Sequence, residues 1–248
     1  MKYDYCEDDM ILKVYPTMSA CFEAAFSLMK KHFWMLVLVV FVGAAIDSPL
    51  WFMRESKPTS DGFQISFQVL DFLQMIYYFA VASVYSYGVA YVFLKAVRKE
   101  KFEFEDALLG FKNYSRAVFS NILVVFIVGL GIILLVIPGI FMACRLIFVP
   151  YLIMTKKHGI VDSLKVSYYM TKGYFWTIFG MCILSFLLII FGLVFLVIGI
   201  IVSLVWINAA FAVLYNAAEE LHYKEACEMA GLPVPEDDVL DTETPSEE

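Results

Sequence analysis

Arg145 is the one charge in a run of 39 residues from Ala117 to Thr155. A guanidinium held among apolar side chains in lipid costs several kcal/mol unless it is paired, so such a residue is a candidate functional group by default. The chemistry it offers is recognition of an anion, a lipid headgroup or a carboxylate. The structural alternative is a guanidinium that ties neighbouring hairpins together. Arg145 follows Pro138 by seven residues, about 10 Å along a helix, which places it in the outer half of a membrane span. Its candidate partners there are Asp47 and Asp71, near the outer ends of the first two apolar runs, Asn208 in the last run, and freed main-chain carbonyls.

The remaining polar residues carry weaker signals. Asn208 and Asn216 lie two helical turns apart on one helix face, with Ala209, Ala212 and Ala217 nearby. Small and amide residues in this pattern mark helix–helix contacts more than ligands. Pro150 is expected to kink its helix and free a carbonyl, as in transporters and in ordinary bundles. His32, His158 and His222 lack the close spacing of a metal site, and the serines form no nucleophile elbow or phosphate loop. Five separate cysteines, without a CxxC, are expected to form neither a disulfide nor a zinc site. No catalytic residue, metal ligand or cofactor is assigned.

The elements that position these residues are legible from composition. Hydrophobic residues make up 61% of the chain and charged residues 17%, against about 45–50% and 25% in soluble domains. The expected fold is an all-α integral membrane bundle. Apolar runs near 33–50, 72–94, 117–137, 138–155, 174–196 and 199–218 give six spans, each near the roughly 20 residues that cross a bilayer. Ile137-Pro138-Gly139 is expected to make the turn of the middle hairpin, and Gly192 and Gly199 that of the last.

Basic residues orient the spans. Four of the 18 precede the first span, six lie between the second and third, and four between the fourth and fifth. The opposite side holds only Arg54 and Lys57, so the positive-inside rule puts both termini in the cytoplasm. Residues 1–16 read as an acidic N-terminal segment, 17–230 as the membrane domain, and 231–248 as a disordered tail with seven acids between Glu236 and Glu248. The acidic start lacks the basic lead of a cleavable signal, so the first span is expected to be retained. Between 63 and 71, Gln64, Gln68 and Asp71 oppose Phe63, Phe67 and Leu70 at helical spacing. This reads as an outer interfacial helix or as part of a long, tilted second span.

A threefold repeat runs through these spans. Phe22-Glu23-Ala24-Ala25-Phe26 leads to Lys31-His32-Phe33, Phe104-Glu105-Asp106-Ala107-Leu108 to Lys112-Asn113-Tyr114, and Val161-Asp162-Ser163-Leu164 to Lys172-Gly173-Tyr174. An acid stands near each helix start and a lysine near each end, as the helix dipole favours. His32, Asn113 and Gly173 share one position, at which a helix ends and the chain turns, and each residue type tolerates that turn. The unit is an interfacial helix followed by a transmembrane hairpin, all three interfacial helices lying on the cytoplasmic face.

Ile137-Pro138-Gly139-Ile140, Arg145, Pro150-Tyr151, Asp162-Ser163-Leu164 and Thr171-Lys172-Gly173-Tyr174-Phe175-Trp176 resemble a bacterial family of six-span membrane proteins of unknown function. That family is similar to the membrane domain attached to some glycerophosphodiester phosphodiesterases. The resemblance is sharp between about 137 and 180. It implies a six-helix fold and lends support to no particular activity, because the phosphodiesterase catalytic domain has no counterpart in these residues.

The expected function is a non-catalytic module of the inner membrane that scaffolds a partner or binds lipid. Its basic loops would face the anionic inner leaflet, with membrane lipids and another membrane or cytoplasmic protein as partners. Nucleic acid is not among them. The alternative is a small transporter or channel with a cavity around Arg145.

Overall fold

In lipid, a chain must satisfy its main-chain N–H and C=O groups internally, and helices do so within a single segment. The computed structural model describes residues 17–54, 72–155, 158–194 and 196–233, and of 47–54, 196 and 197 the main chain only. Among these residues every regular element is a helix.

Helix α1 is Met18–Arg54 and α2 is Phe72–Val97, the latter interrupted by a π-helical turn at Tyr78–Ala82. Two short helices follow, α3 (Phe104–Ala107) and α4 (Leu109–Lys112). The middle hairpin is α5 (Tyr114–Leu134) with α6 (Val136–Arg145) and its continuation α7 (Val149–Thr155). Helix α8 (Ile160–Met170) leads to the last hairpin, α9 (Phe175–Val194) and α10 (Leu196–Ala230). Six stretches are long and apolar enough to cross a membrane: Met18–Ile46, Phe72–Val97, Tyr114–Leu134, Val136–Thr155, Phe175–Val194 and Ile198–Ala230.

His32, Asn113 and Gly173 each stand where the helical path breaks before a long apolar helix. His32 (φ −123°, ψ 29°) and Asn113 (φ −101°, ψ 31°) share the bridge conformation. Only Gly173, at φ +96°, is left-handed. Lys31, Lys112 and Lys172, one residue earlier in each case, are exposed. Asp106 and Glu103 close a capping box on α3, each side chain bonding the other's main-chain N–H.

The middle turn is not made by Pro138 and Gly139. The chain turns at Leu135, which is extended (φ −163°, ψ 136°), and both residues lie in the first turn of α6. The N–H groups of a helix's first turn have no intrahelical acceptor, so proline loses nothing there and its fixed φ suits the helix. Gly139 serves packing instead. A Cβ on it would lie 2.6 Å from the main-chain nitrogen of Ile132, and one on Gly131 would lie 2.8 Å from the Gly139 Cα. Gly192 and Gly199 play the same part in the last hairpin, where a Cβ on Gly192 would lie 2.7 Å from the Gly199 carbonyl oxygen. Glycine pairs let the two arms of each hairpin meet backbone to backbone.

The last helix runs past the expected end at Ala218 to Ala230. It stops at Gly231 (φ +72°), whose N–H donates to Glu228 while that of Leu232 donates to Cys227. These are the paired bonds of a Schellman cap. Its middle is the core of the bundle: Ala209, Ala210, Ala212, Val213, Leu214 and Tyr215 are all buried, against Leu36 and Val39 of α1, Phe93 of α2 and Phe148 between α6 and α7. Trp206 Nε1 donates to the Phe22 carbonyl at 3.0 Å and fixes α1 against this helix.

Candidate functional site

Two features stand out: the surroundings of Arg145, and a cavity between α1, α2 and α10. The first begins with a broken helix. Leu146 (φ −98°, ψ 9°) ends α6, and α7 starts at Val149 with Pro150 in its second position. Proline has no N–H to give the carbonyl four residues back. The Leu146 carbonyl instead accepts from the Val149 N–H at 3.2 Å. The Arg145 carbonyl accepts from Ser167 Oγ at 2.9 Å, and Thr171 Oγ1, which donates to the Ser167 carbonyl at 2.9 Å, lies 3.3 Å from it.

The Arg145 side chain lies between two rings, its guanidinium carbon 4.8 Å from the Phe141 centroid and 5.0 Å from that of Tyr168. Nη1 donates to the Tyr168 carbonyl at 3.2 Å. Nε is buried without a hydrogen-bond partner among the described residues. Phe141 packs in turn on Phe175, with centroids 5.1 Å apart. The planar cation is therefore held by aromatic faces and a carbonyl dipole.

Of the partner types expected for Arg145, the one present among the described residues is a main-chain carbonyl, that of Tyr168. Arg145 packs on α8, the segment read as a cytoplasmic boundary helix. Asn208 lies elsewhere, its Nδ2 donating to Leu204 at 2.8 Å. Asp47 is in the α1 main chain with its side chain outside the described residues, and Asp71 lies outside them entirely.

The second feature is a cavity of about 560 Å³ with Val40, Gly43, Tyr85, Ser86, Leu204 and Asn208 in its wall. A side chain at Gly43 would crowd Tyr85, whose ring lies 3.0 Å from where its Cβ would stand. Ala82, the last residue of the π-helical turn, also contributes. Such turns displace side chains from the regular helical register and recur at functional sites.

Sequence reasoning missed a polar cluster where α2 meets α10. Arg98 pairs with Glu219 and donates from Nε to Asn216 Oδ1 at 3.1 Å, while Asn216 Nδ2 donates to Glu220 at 3.2 Å. Burial works against the Arg98 charge, but the Glu219 carboxylate outweighs it and holds the guanidinium pKa above its usual value. The available signal was Asn216 and Glu219 at i, i+3 on one helix face. Histidines sit close by in separate bonds, His158 Nε2 with Tyr223 Oη at 2.7 Å and His222 Nε2 with Tyr174 Oη at 2.6 Å. His32 packs edge-on to Phe102.

Fold and composition together define an all-α, multi-pass integral membrane protein. No protein-family model matches the chain, and neither a curated protein nor a solved structure gives a match.

Proposed function

We propose that the protein is a non-catalytic module of the inner membrane, with both termini in the cytoplasm, that binds an anionic lipid headgroup at Arg145. The observation that carries this reading is the guanidinium itself, held by two rings and one carbonyl, with no carboxylate paired to it among the described residues. A phosphate oxygen supplies the acceptor that a charge in this setting requires. Arg145 also lies beside α8, so a headgroup at the membrane boundary is in reach. The basic loops favour the anionic inner leaflet.

A structural use of the hydroxyls supports the non-catalytic part of the reading. Ser83, Ser86, Ser163, Ser167, Thr171 and Ser203 all donate to main-chain carbonyls. The basic loops also offer a surface for a scaffolded protein partner.

The test is native mass spectrometry of the gently purified chain, comparing wild type with Arg145→Ala and Arg145→Lys. The expected result is an anionic phospholipid retained by the wild type and lost from a folded Arg145→Ala. Equal retention by all three overturns the site, and an aggregated Arg145→Ala beside a folded, lipid-free Arg145→Lys still supports it. The transport reading has one observation in its favour, the cavity, whose described wall does not include Arg145. A thiol introduced at Ala44 that reacts with aqueous reagents from both sides of the membrane would favour transport.

A further inference from the structure

The geometry points to a second ligand site: the cavity between α1, α2 and α10 holds a neutral, single-chain lipid that ends in a hydroxyl. This site is separate from Arg145 and does not depend on the headgroup reading. The volume, about 560 Å³, falls within the roughly 300–1,000 Å³ of small-molecule sites. Most of its wall is aliphatic, with Val40, Ile46, Val89 and Leu204 among the contributors.

The polar groups in the wall decide the class. Tyr85 Oη donates to the Val39 carbonyl at 2.7 Å, Ser86 Oγ to that of Ser83 at 2.7 Å, and Asn208 Nδ2 to that of Leu204 at 2.8 Å. A hydroxyl has one proton, and those of Tyr85 and Ser86 are already used. What the wall still offers is the lone pairs of both hydroxyls, Oδ1 of Asn208 and the second N–H of its Nδ2, so it is richer in acceptors than in donors. A carboxylate or phosphate brings only further acceptors, and no cationic side chain lines the described wall to receive one. A bare hydrocarbon would set the polar atoms of the described wall against carbon alone, at the cost of their desolvation. An alcohol on an aliphatic chain satisfies both parts of the wall.

Gly43 keeps the site open. Its missing side chain leaves the Tyr85 ring in place, and any larger residue there would push into the ring or the cavity.

The experiment uses the full chain in liposomes with a diazirine-tagged hexadecanol, maps the photolabelled residues by mass spectrometry, and competes with untagged hexadecanol, hexadecane or palmitate. Label is expected on residues of α1, α2 and α10 that line the cavity. Hexadecanol should compete about fivefold better than hexadecane, the ratio that one hydrogen bond of about 1 kcal/mol gives. Asn208→Leu should abolish that preference while keeping the label, and Gly43→Leu should reduce the label itself. Equal competition by alcohol and alkane, better competition by palmitate, or labelling outside these helices overturns the proposal. The wild-type competition ratio decides the matter even if neither variant folds.

Discussion

Arg98 at the end of α2 reaches Glu219 on α10, a partner 121 positions away in the chain, and its Nε is held at the same time by Asn216. The pair is largely buried, with the side chains 26% and 10% exposed. Removing one partner of such a pair strands the other charge. Glu219→Leu alone should therefore destabilise the protein by about 3–5 kcal/mol, while Arg98→Met with Glu219→Leu should recover most of the loss. Thermal unfolding of the single and double variants in one detergent checks this. A double variant no better than the worse single variant would contradict it.

The ion pair of Lys95 with Asp106, at 2.9 Å, fastens α3 to α2 and predicts an acid sensitivity. Burial alone would raise the Asp106 pKa, but the Lys95 ammonium and the Glu103 N–H outweigh it and hold the carboxyl below its usual value. Because the folded-state value is depressed, the stabilisation is complete above the ordinary carboxylate range and is lost as pH falls through the lowered value. Asp106→Asn should lower the melting temperature at pH 7 and converge on wild type in strong acid. Parallel curves at all pH values would refute the linkage.

The Arg145 carbonyl depends on Ser167. Ser167→Ala deprives it of its donor in a partly dry setting. The expected cost is about 1–3 kcal/mol, read by thermal unfolding. Faster hydrogen exchange through 141–155 should accompany it.

Both hairpins rest on glycine contact near the turn. Gly192→Val would drive a side chain into the Gly199 backbone and Ser203. A loss of about 1–3 kcal/mol is expected from the overpacking, whereas Gly129→Val, where a Cβ meets nothing within 4 Å, should be close to neutral. Melting temperatures of the two variants, measured side by side, distinguish contact from a general intolerance of glycine loss.

Much of the fold was legible because apolar length and charge placement act locally. The charge-free run from Tyr174 to Ala218 reads as two helical spans whatever surrounds it, since a buried main chain in lipid has few other solutions. His32, Asn113 and Gly173 could likewise be aligned as break points, because each residue type tolerates the conformations that end a helix. The chain by itself thus determined an all-α membrane bundle of six spans with repeated helix breaks.

Tertiary structure decided where the polar groups go. Pro138-Gly139 reads as a turn, yet Pro138 belongs to the first turn of α6 and Gly139 to a backbone contact with α5. Arg145 was open to Asp47, Asp71, Asn208 or a main-chain carbonyl; its guanidinium lies between Phe141 and Tyr168 and takes the Tyr168 carbonyl, while Asn208 lies elsewhere. Arg98 found Glu219, and Asn208 joined Gly43 and Tyr85 around a cavity. These pairings depend on how helices distant in the chain cross and on where spans break. A hydrophobic pattern fixes that a helix forms and which end carries charge, but not which neighbour its few polar atoms will meet.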